Sequence, residues 1–345
     1  MKAAVNGAKP IDIVITWVDG NDPVWLEEKQ RYVSTGDTAA IRRVDTRDVR
    51  TRPWNTLRYL FRGIERYAPW VNKVFFVTWG HLPDWLNTKC EKLKVVNHVD
   101  YIPEEYLPTF SSRTIEFNFH RIEGLSENFI NFNDDTLIVD QLLPSDFFNH
   151  GLPCSSAVLT PYKVTYGDWY YAHITNISII NKHFSLRSSM RSNLFKWINY
   201  KYGIDVLRTI LMLPYPTFFG IRNYHLPNSM LKETIKELWE KEPVIMDATC
   251  KHKFRVSTDP NQWLIEDWQI ASGCFWPRAT RIGQSFQIDS IHGAEIAADY
   301  IRKKRGSLIC VNDVVENAND YKLCCECIEN ALIEVFPTKS SFELN

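Results

Sequence analysis

Residues 11–23, IDIVITWVDGNDP, decide the fold class, because a buried strand ends there in a polar turn. The first eight residues are apolar or β-branched apart from Asp12, and the turn formers Asp, Gly, Asn and Pro follow directly. Residues 73–79 (KVFFVTW) and 128–132 (NFINF) repeat this composition, and 94–97 is a shorter strand candidate. Helical segments separate these strands, so the sequence predicts an α/β fold with a mostly parallel sheet flanked by helices.

Amphipathic helices occupy the intervals between the strands. Residues 57–67 carry apolar side chains at helical spacing and leave three arginines on another face, Arg58, Arg62 and Arg66. The spacing of Ile115, Phe119 and Ile122 predicts a second, short helix. That helix would group three polar side chains on its other side, namely Glu116, His120 and Glu123.

The second half of the chain is predicted to be more helical. Its helices span about 230–240, 261–275, 291–305 and 320–335. Pro227 to Ser229 is the start signal of the first of these helices, and Pro243 is its stop. A late strand at 307–311 ends at Asn312 and Asp313.

Composition and charge exclude several classes of protein. The chain has 345 residues, 45% of them hydrophobic, which suffices for one large α/β domain or two smaller ones and excludes a disordered tail. Forty Lys and Arg against 41 Asp and Glu give a net charge of −1, which argues against nucleic acid as a partner.

The N-terminal segment has no signal-peptide pattern, and no apolar stretch approaches the roughly 20 residues of a membrane-spanning helix. We therefore expect a cytoplasmic protein, at most peripheral to a membrane. Eight unevenly spaced cysteines predict reduced thiols. Cys324, Cys325 and Cys327 are expected to pack on a helix rather than to bind zinc.

Acidic residues follow three of the predicted strands. Asp19 and Asp22 end the first, Asp134 and Asp135 end the strand at 128–132, and Asp313 ends the late strand. Ligands of open α/β sheets bind outside the carboxyl ends of the strands, where these acids could converge on Mg²⁺ or Mn²⁺ and a pyrophosphate. The alternative is that Asp and Asn simply form the turns.

Residues 42–66 hold eight arginines, whose guanidinium groups match phosphate oxygens. These are Arg42, Arg43, Arg47, Arg50, Arg52, Arg58, Arg62 and Arg66. The alternative is a charged loop followed by a solvated helix face. Neither GxGxxG nor GxxxxGK[ST] occurs, which disfavours a dinucleotide site or a P-loop. Aromatic residues at 169–171 could stack on a sugar, although such residues more often belong to a core or an interface.

Four stretches in order resemble the conserved regions of the Stealth family, the sugar-1-phosphate transferases of bacterial capsule synthesis. IDIVITWVDGNDPVW (11–25) resembles the first region, and the second extends over about 50–140, including NFNDD. IRNYHLPNSMLKETIKELWEKEP (221–243) and the segment at 307–343 resemble the third and fourth. An animal enzyme that adds GlcNAc-1-phosphate to lysosomal glycoproteins is similar. The resemblance implies a single catalytic domain over 1–345, with 151–220 as a variable, acceptor-facing insert.

The resemblance also implies a GT-A-like α/β fold and a reaction. A hexose-1-phosphate passes from a nucleotide sugar, commonly a UDP-sugar, to a hydroxyl of an oligosaccharide or lipid-linked glycan, and nucleoside monophosphate leaves. The expected cofactor is Mg²⁺ or Mn²⁺, and the expected location is the cytoplasm, at the inner face of a bacterial membrane. No feature of the sequence sets the oligomeric state.

Site roles carry over where the motifs match. The metal candidates are Asp134 and Asp135, and the catalytic candidates are His225, Arg255 and Asp313. The donor-binding candidates are Asp19, Arg58, Glu116, His120, Asn133 and Asn312. His225 in NYHLP is the candidate general base, because an unperturbed imidazole titrates near neutral pH. The alternative is a capping or packing histidine.

One departure from the family pattern bears on the substrate. Residues 52–56 read RPWNT, where many relatives carry acidic residues before the LRY motif. We therefore carry over no particular sugar. Two other functions stay open on the residues alone: a metal-dependent glycosyltransferase that releases nucleoside diphosphate, and a catalytically silent polysaccharide-binding protein.

Overall fold

The structure, a computed structural model, describes residues 9–35, 54–163 and 171–344. The strands are β1 (Ile11–Thr16), β2 (Val74–Thr78), β3 (Leu93–Asn97), β4 (Asn128–Asn133), β5 (Thr136–Ile138), β6 (Phe148–Asn149), β7 (Leu152–Ser155), β8 (Asn228–Leu231), β9 (Trp276–Pro277), β10 (Gly283–Ile288) and β11 (Leu308–Asp313). The helices are α1 (Pro23–Thr35), α2 (Leu57–Tyr67), α3 (Ser112–Phe117), α4 (Tyr171–His183), α5 (Leu186–Trp197), α6 (Val206–Met212), α7 (Lys232–Lys241), α8 (Pro243–Lys251), α9 (Trp263–Ser272), α10 (Ile291–Lys303) and α11 (Ala318–Val335).

The main sheet has the strand order β3-β2-β1-β4-β8. The first four strands are parallel, and β8 pairs with β4 in the antiparallel direction. Thr16 of β1 pairs with Asn133 of β4, so these two strands end at the same edge. This arrangement confirms the predicted α/β class with a mostly parallel sheet, and it places the residues after β1 beside those after β4.

Two smaller sheets complete the fold. A two-residue turn, Asp134 and Asp135, carries the chain from β4 into β5. In the second sheet β5 pairs antiparallel with β11, which in turn pairs parallel with β10, and Cys310 lies opposite Thr136. The third sheet has the order β6-β7-β9. The turn after β4 therefore joins the main sheet to the second sheet.

The core has one layer on each face of the main sheet, as the alternation of side chains along β1 requires. Ile13 and Ile15 pack on one face with α2, α10 and α11. Val14 packs on the other face with the helices α7, α8 and α9. The helix predicted at 57–67 is confirmed with the same ends, and those predicted at 261–275, 291–305 and 320–335 are confirmed with shifted ends.

The helix predicted from about Met230 begins two residues late, because a strand precedes it. Residues 228–231 form β8, and Ser229 and Met230 are buried against β4. The Pro227-Asn228-Ser229 signal therefore starts an edge strand rather than a helix. Such pairing with a distant strand overrides the local propensity.

The predicted grouping of Glu116 with His120 is wrong. Helix α3 ends at Phe117, and Phe119–Arg121 forms a separate 3-10 turn. Glu116 is buried, whereas Ile115 is only partly buried. The break at Asn118, whose φ is −102° and ψ is 0°, turns the two side chains toward different neighbours.

Two of the eight arginines hold the C-terminal segment rather than a phosphate. Arg62 donates to both carboxylate oxygens of Glu343 at 2.8 and 2.7 Å and to the Phe336 carbonyl at 2.7 Å. Arg66 donates to the Val335 carbonyl. Arg42, Arg43, Arg47, Arg50, Arg52 and the aromatic residues at 169 and 170 lie outside the described residues.

We expect Arg62→Ala to lower the free energy of unfolding by about 3 kcal/mol, because the buried Glu343 carboxylate loses its partner. Burial alone would raise the pKa of Glu343, but the hydrogen bonds from Arg62 outweigh it, and the net pKa is lowered. A carboxyl with a lowered pKa stabilises the fold above its unfolded pKa and loses that effect as pH falls. The difference between variant and wild type should therefore shrink below about pH 4.

Urea denaturation at several pH values measures both effects. Arg302→Ala is the matched control, since Arg302 also makes a two-pronged pair, with Glu334, but on the surface. It should cost less than about 1 kcal/mol. Equal losses for the two variants would contradict a stabilising role of the buried pair.

All eight cysteines are free thiols. Cys324, Cys325 and Cys327 lie on α11, and Cys324 is buried in the core, as predicted. Within the described part of the chain, no helix combines the length and the apolar character needed to cross a bilayer.

Candidate active site

Asp135 is held in a fixed orientation at the turn between β4 and β5. The Thr136 hydroxyl donates to its carboxylate at 3.1 Å, and the Val311 backbone N–H donates to its carbonyl at 2.8 Å. The Cys310 side chain lies against it from β11. Because two sheets hold this residue, its carboxylate is presented in one place at the carboxyl edge of β4.

His225 lies in the loop before β8, in an unusual backbone conformation. Its φ is +53°, the left-handed region that few non-glycine residues adopt. The Asn223 side chain accepts a hydrogen bond from the His225 backbone N–H at 2.6 Å. The imidazole is half-buried against Trp263 of α9, with ring centroids 5.6 Å apart. Strained residues of this kind cluster at functional sites.

Asp135, His225 and Cys310 converge. One ligand atom of each side chain lies within 4.8 Å of the others. His225 also lines a small cleft, whose walls include Asn131, Asn133, Thr136, Gln262 and Trp263. Of the residues singled out in the sequence, the structure thus brings Asn133 and His225 to one cleft, with Asp135 within 4.8 Å of His225 and Asp134 adjacent in the turn.

The donor set suits a hard divalent cation. Asp135 is a fixed carboxylate, Asp134 is an exposed carboxylate next to it in the turn, and the amide-bearing Asn133 lines the neighbouring cleft. Burial, followed by the charge of Asp135, raises the pKa of the Cys310 thiol well above its usual range, so the thiol stays neutral. A neutral thiol is a poor ligand. The chemistry of these groups therefore fits Mg²⁺ or Mn²⁺ better than a soft metal.

Asp134 is electrostatically coupled to its surroundings. Desolvation and then the negative charge of Asp135 raise the pKa of its carboxyl, whereas backbone hydrogen bonds and Arg255 lower it. Water reaches this exposed side chain and weakens these effects. A nearby cation would favour the ionised form of both acids.

Arg255 lies between two acids. Its charge acts on Asp134 and also on Glu116, which is 1% exposed. Burial raises the pKa of Glu116 to about 7, while Arg255 and a hydrogen bond with Asn131 oppose that increase. Glu116 Oε2 has no hydrogen-bond partner among the described residues. The buried Glu116 carboxyl therefore interacts electrostatically with Arg255.

The loop after α8 positions Arg255 through its neighbours. Arg113 donates to the Val256 and Asp259 carbonyls, the latter at 3.1 Å. Phe254 stacks on Phe110 with ring centroids 5.2 Å apart. Both contacts flank Arg255 in sequence, so its backbone is anchored on either side.

We expect Glu116→Gln to become more stable relative to wild type as pH rises. An acid whose folded pKa is about 7 contributes stability below its unfolded pKa, near 4.3, and loses it as pH rises through the folded value. Glutamine does not titrate. The difference in free energy of unfolding should grow by on the order of 2 kcal/mol between pH 4 and pH 8. A pH-independent difference in urea denaturation would contradict a raised pKa at Glu116.

The other predicted residues lie around this centre. The Asp19 backbone N–H donates to His81 Nε2 at 2.7 Å, and its carboxylate accepts from the Asn21 N–H. It follows β1, at the edge shared with Asn133. Arg58 lies over the Trp85 ring, 5.6 Å from the centroid, in the first turn of α2.

Three further candidates contact other parts of the fold. His120 packs on Trp239 of α7, and burial lowers the pKa of its imidazole to about 4. Asn312 donates to the Gln287 side chain at 2.7 Å, and Asp313 accepts from the Val315 N–H at 3.0 Å. Asp313 thus ends β11, three residues beyond Cys310.

Parts of this chain match the conserved regions of a known protein family. Conserved region 1 of Stealth proteins matches residues 9–37, and conserved region 2 matches residues 50–154. The second match contains Asp134 and Asp135. The structure of galactosyltransferase LgtC with donor and acceptor sugar analogs aligns over 96% of this chain and 98% of its own, with 8% identity and a TM-score of 0.40.

Full-length relatives are phosphotransferases of surface polysaccharides. The capsular polysaccharide phosphotransferase WcwK of Streptococcus pneumoniae is 37% identical over 96% of this chain and 98% of its own. The receptor polysaccharide phosphotransferase WefC of Streptococcus gordonii is 36% identical over 97% and 99%. The exopolysaccharide phosphotransferase cps2G of Lactiplantibacillus plantarum is 32% identical over 98% and 97%. On this similarity along both whole chains, together with the two matched regions, the chain belongs to the Stealth family of phosphotransferases.

Proposed function

We propose that this protein transfers a hexose-1-phosphate from a nucleotide sugar, a UDP-sugar, to a hydroxyl of a glycan and releases nucleoside monophosphate. The acceptor is an oligosaccharide or lipid-linked glycan of capsular or other surface polysaccharide. Relatives with phosphotransferase names over the whole chain support the reaction class. The observation that carries the proposal is the approach of His225 to Asp135, within 4.8 Å.

In the reaction, the His225 imidazole takes the proton of the acceptor hydroxyl. The acceptor oxygen then attacks the phosphorus next to the sugar, and the bond from that phosphorus to the bridging oxygen breaks. The electrons of that bond stay on the nucleoside monophosphate. The Trp263 contact and the Asn223 hydrogen bond hold His225 in place for this step.

Arg255 stabilises the negative charge that builds on the phosphoryl oxygens. A guanidinium whose charge acts on Asp134, and whose chain neighbours Phe254 and Val256 are anchored, is suited to this role. Glu116 acts as a positioning residue for Arg255 rather than as a ligand of the donor, since it is 1% exposed and interacts electrostatically with that side chain.

Asp135 and Asp134, with the Asn133 side chain, are the residues that would hold Mg²⁺ or Mn²⁺. When bound, the cation supplies charge neutralisation for a pyrophosphate. We assign donor binding to Asn133 and Asp19, which follow neighbouring strands at one edge. The donor roles of Arg58, His120 and Asn312, and the catalytic role of Asp313, rest on the family resemblance alone.

We also propose that residues 151–220 face the acceptor and that the enzyme works in the cytoplasm. Eight free thiols support a reducing compartment.

The nucleotide product tests the proposal. The purified protein is incubated with several UDP-sugars, Mg²⁺ or Mn²⁺ and a glycan acceptor, and the released nucleotide is identified by chromatography. We expect acceptor-dependent UMP. UDP would instead support a glycosyltransferase that attacks the anomeric carbon, and no acceptor-dependent turnover would support a silent binding protein.

A further inference from the structure

Exposed apolar side chains are concentrated in one segment. Among the described residues, 24 large hydrophobic side chains are exposed, and 11 of them lie within residues 194–219. Within this segment the most exposed are Tyr200 at 87%, Ile204 at 79% and Leu211 at 71%. Soluble proteins rarely gather so much apolar surface unless it contacts a partner or a membrane.

The segment is firmly folded, so this exposure does not come from loose packing. Trp197, Tyr202 and Phe218 are buried, and the Trp197 and Phe218 rings lie 6.0 Å apart. The Tyr202 hydroxyl donates to the Lys196 carbonyl at 2.6 Å. Three buried aromatic anchors therefore fasten the segment to the core while its other apolar residues face outward.

Helix α6 shows the pattern clearly. Leu207, Ile210 and Leu211 are exposed at the i, i+3, i+4 spacing of one helix face, whereas the polar Thr209 is buried. An ordinary surface helix has the opposite arrangement, with its apolar face inward. Its outward face is therefore suited to an apolar environment.

This outward face could contact either a lipid surface or a protein partner, and the charges around it distinguish between the two. Residues 186–219 contain five basic side chains and one acid; of the basic ones Lys196 is buried, whereas Arg187 and Arg191 are exposed. The acid, Asp205, is paired with Arg222 and Arg208. On α5, Arg187 and Arg191 are exposed, and Phe195 is exposed beyond the non-helical residue Asn193, so basic and apolar side chains follow one another along this surface. Basic and apolar groups side by side complement an anionic lipid surface.

We propose that the exposed surface of residues 186–219 docks on an anionic lipid bilayer. The apolar side chains would enter the boundary between head groups and acyl chains, and the arginines would contact lipid phosphates. Tyr224 immediately precedes His225, and its hydroxyl donates a hydrogen bond to the Asp205 side chain at 3.0 Å. Docking thus brings the His225 loop close to the bilayer, where a lipid-linked acceptor lies. Only this last consequence rests on the proposed function.

Vesicle flotation tests the docking. We expect the wild-type protein to bind vesicles of equal parts phosphatidylcholine and phosphatidylglycerol, and to bind pure phosphatidylcholine weakly. The double variant Leu207→Asp/Leu211→Asp should lose at least about tenfold in the partition coefficient. The matched control is Val99→Asp/Val244→Asp, because these valines are also highly exposed, at 70% and 82%, but lie elsewhere. This control should bind like wild type.

Further readouts separate the outcomes. Melting temperature and affinity for the nucleotide-sugar donor should be unchanged in the Leu207→Asp/Leu211→Asp variant, which keeps a docking failure distinct from a failure of the proposed reaction. Absence of vesicle binding by the wild type, or equal binding by all variants, would overturn the proposal. So would a dimer in solution that the Leu207→Asp/Leu211→Asp change dissociates, because the surface would then be an interface between two copies.

Discussion

His225→Ala is expected to lower turnover by on the order of 10²–10⁴ while donor affinity changes little. Proton removal from the acceptor matters only in the transition state, so kcat should fall far more than donor binding. If His225 is the base, the acidic limb of the kcat profile against pH should disappear in the variant. Turnover, donor Kd and melting temperature measured on one preparation give the result.

His98→Ala is the matched control for a histidine that only packs. His98 is 5% exposed, and burial lowers the pKa of its imidazole to about 3, so it is neutral in the core. This variant should melt at a lower temperature and keep its kcat. If His225→Ala behaves in the same way, with lost stability and normal turnover, the base assignment is wrong.

Asp135→Asn is expected to lower turnover at limiting Mg²⁺ by at least about a hundredfold with the fold intact. The amide is nearly isosteric and still accepts the Thr136 hydrogen bond, but it removes the charge that a cation needs. Asp134→Asn should act in the same direction. Both follow from the position of the two acids at the turn between β4 and β5.

Asp140→Asn supplies the control for this pair, since Asp140 is also an acid near β5 but faces Lys304 at 3.6 Å on the surface. It should keep its turnover and its dependence on Mg²⁺. Near-normal rates of Asp135→Asn at limiting Mg²⁺ would contradict the metal assignment, whereas recovery at high Mg²⁺ would support it.

Much of the fold could be predicted because local pattern and tertiary structure agree. The strand at 11–16 and the helix at 57–67 combine the right periodicity with clear ends. Strand β8 could not be predicted, since it forms only by pairing with β4 across about a hundred residues. The local signals at Pro227 to Ser229 fit the start of a strand or of a helix, and pairing with β4 makes the strand form.

The site was predictable in part for the same reason. Asp135 and His225 could be chosen from their motifs, but their closeness depends on how β4, β5 and β8 are placed. Cys310 had no signal, because a cysteine inside SLICV is indistinguishable from a core residue until its register with Thr136 is known. The spacing groups Glu116 with His120 and Glu123, and no local pattern indicates that its carboxyl is buried and interacts with Arg255, which is distant in sequence.

The central claim is that the phosphorus next to the sugar is transferred together with the sugar. A UDP-sugar with radioactive phosphorus at that position only, incubated with the protein, Mg²⁺ and glycan acceptor, tests it most directly. We predict that the label enters the glycan in step with UMP release and that His225→Ala slows both equally. Label that stays with a released nucleoside diphosphate, while unlabelled sugar enters the glycan, would contradict the account.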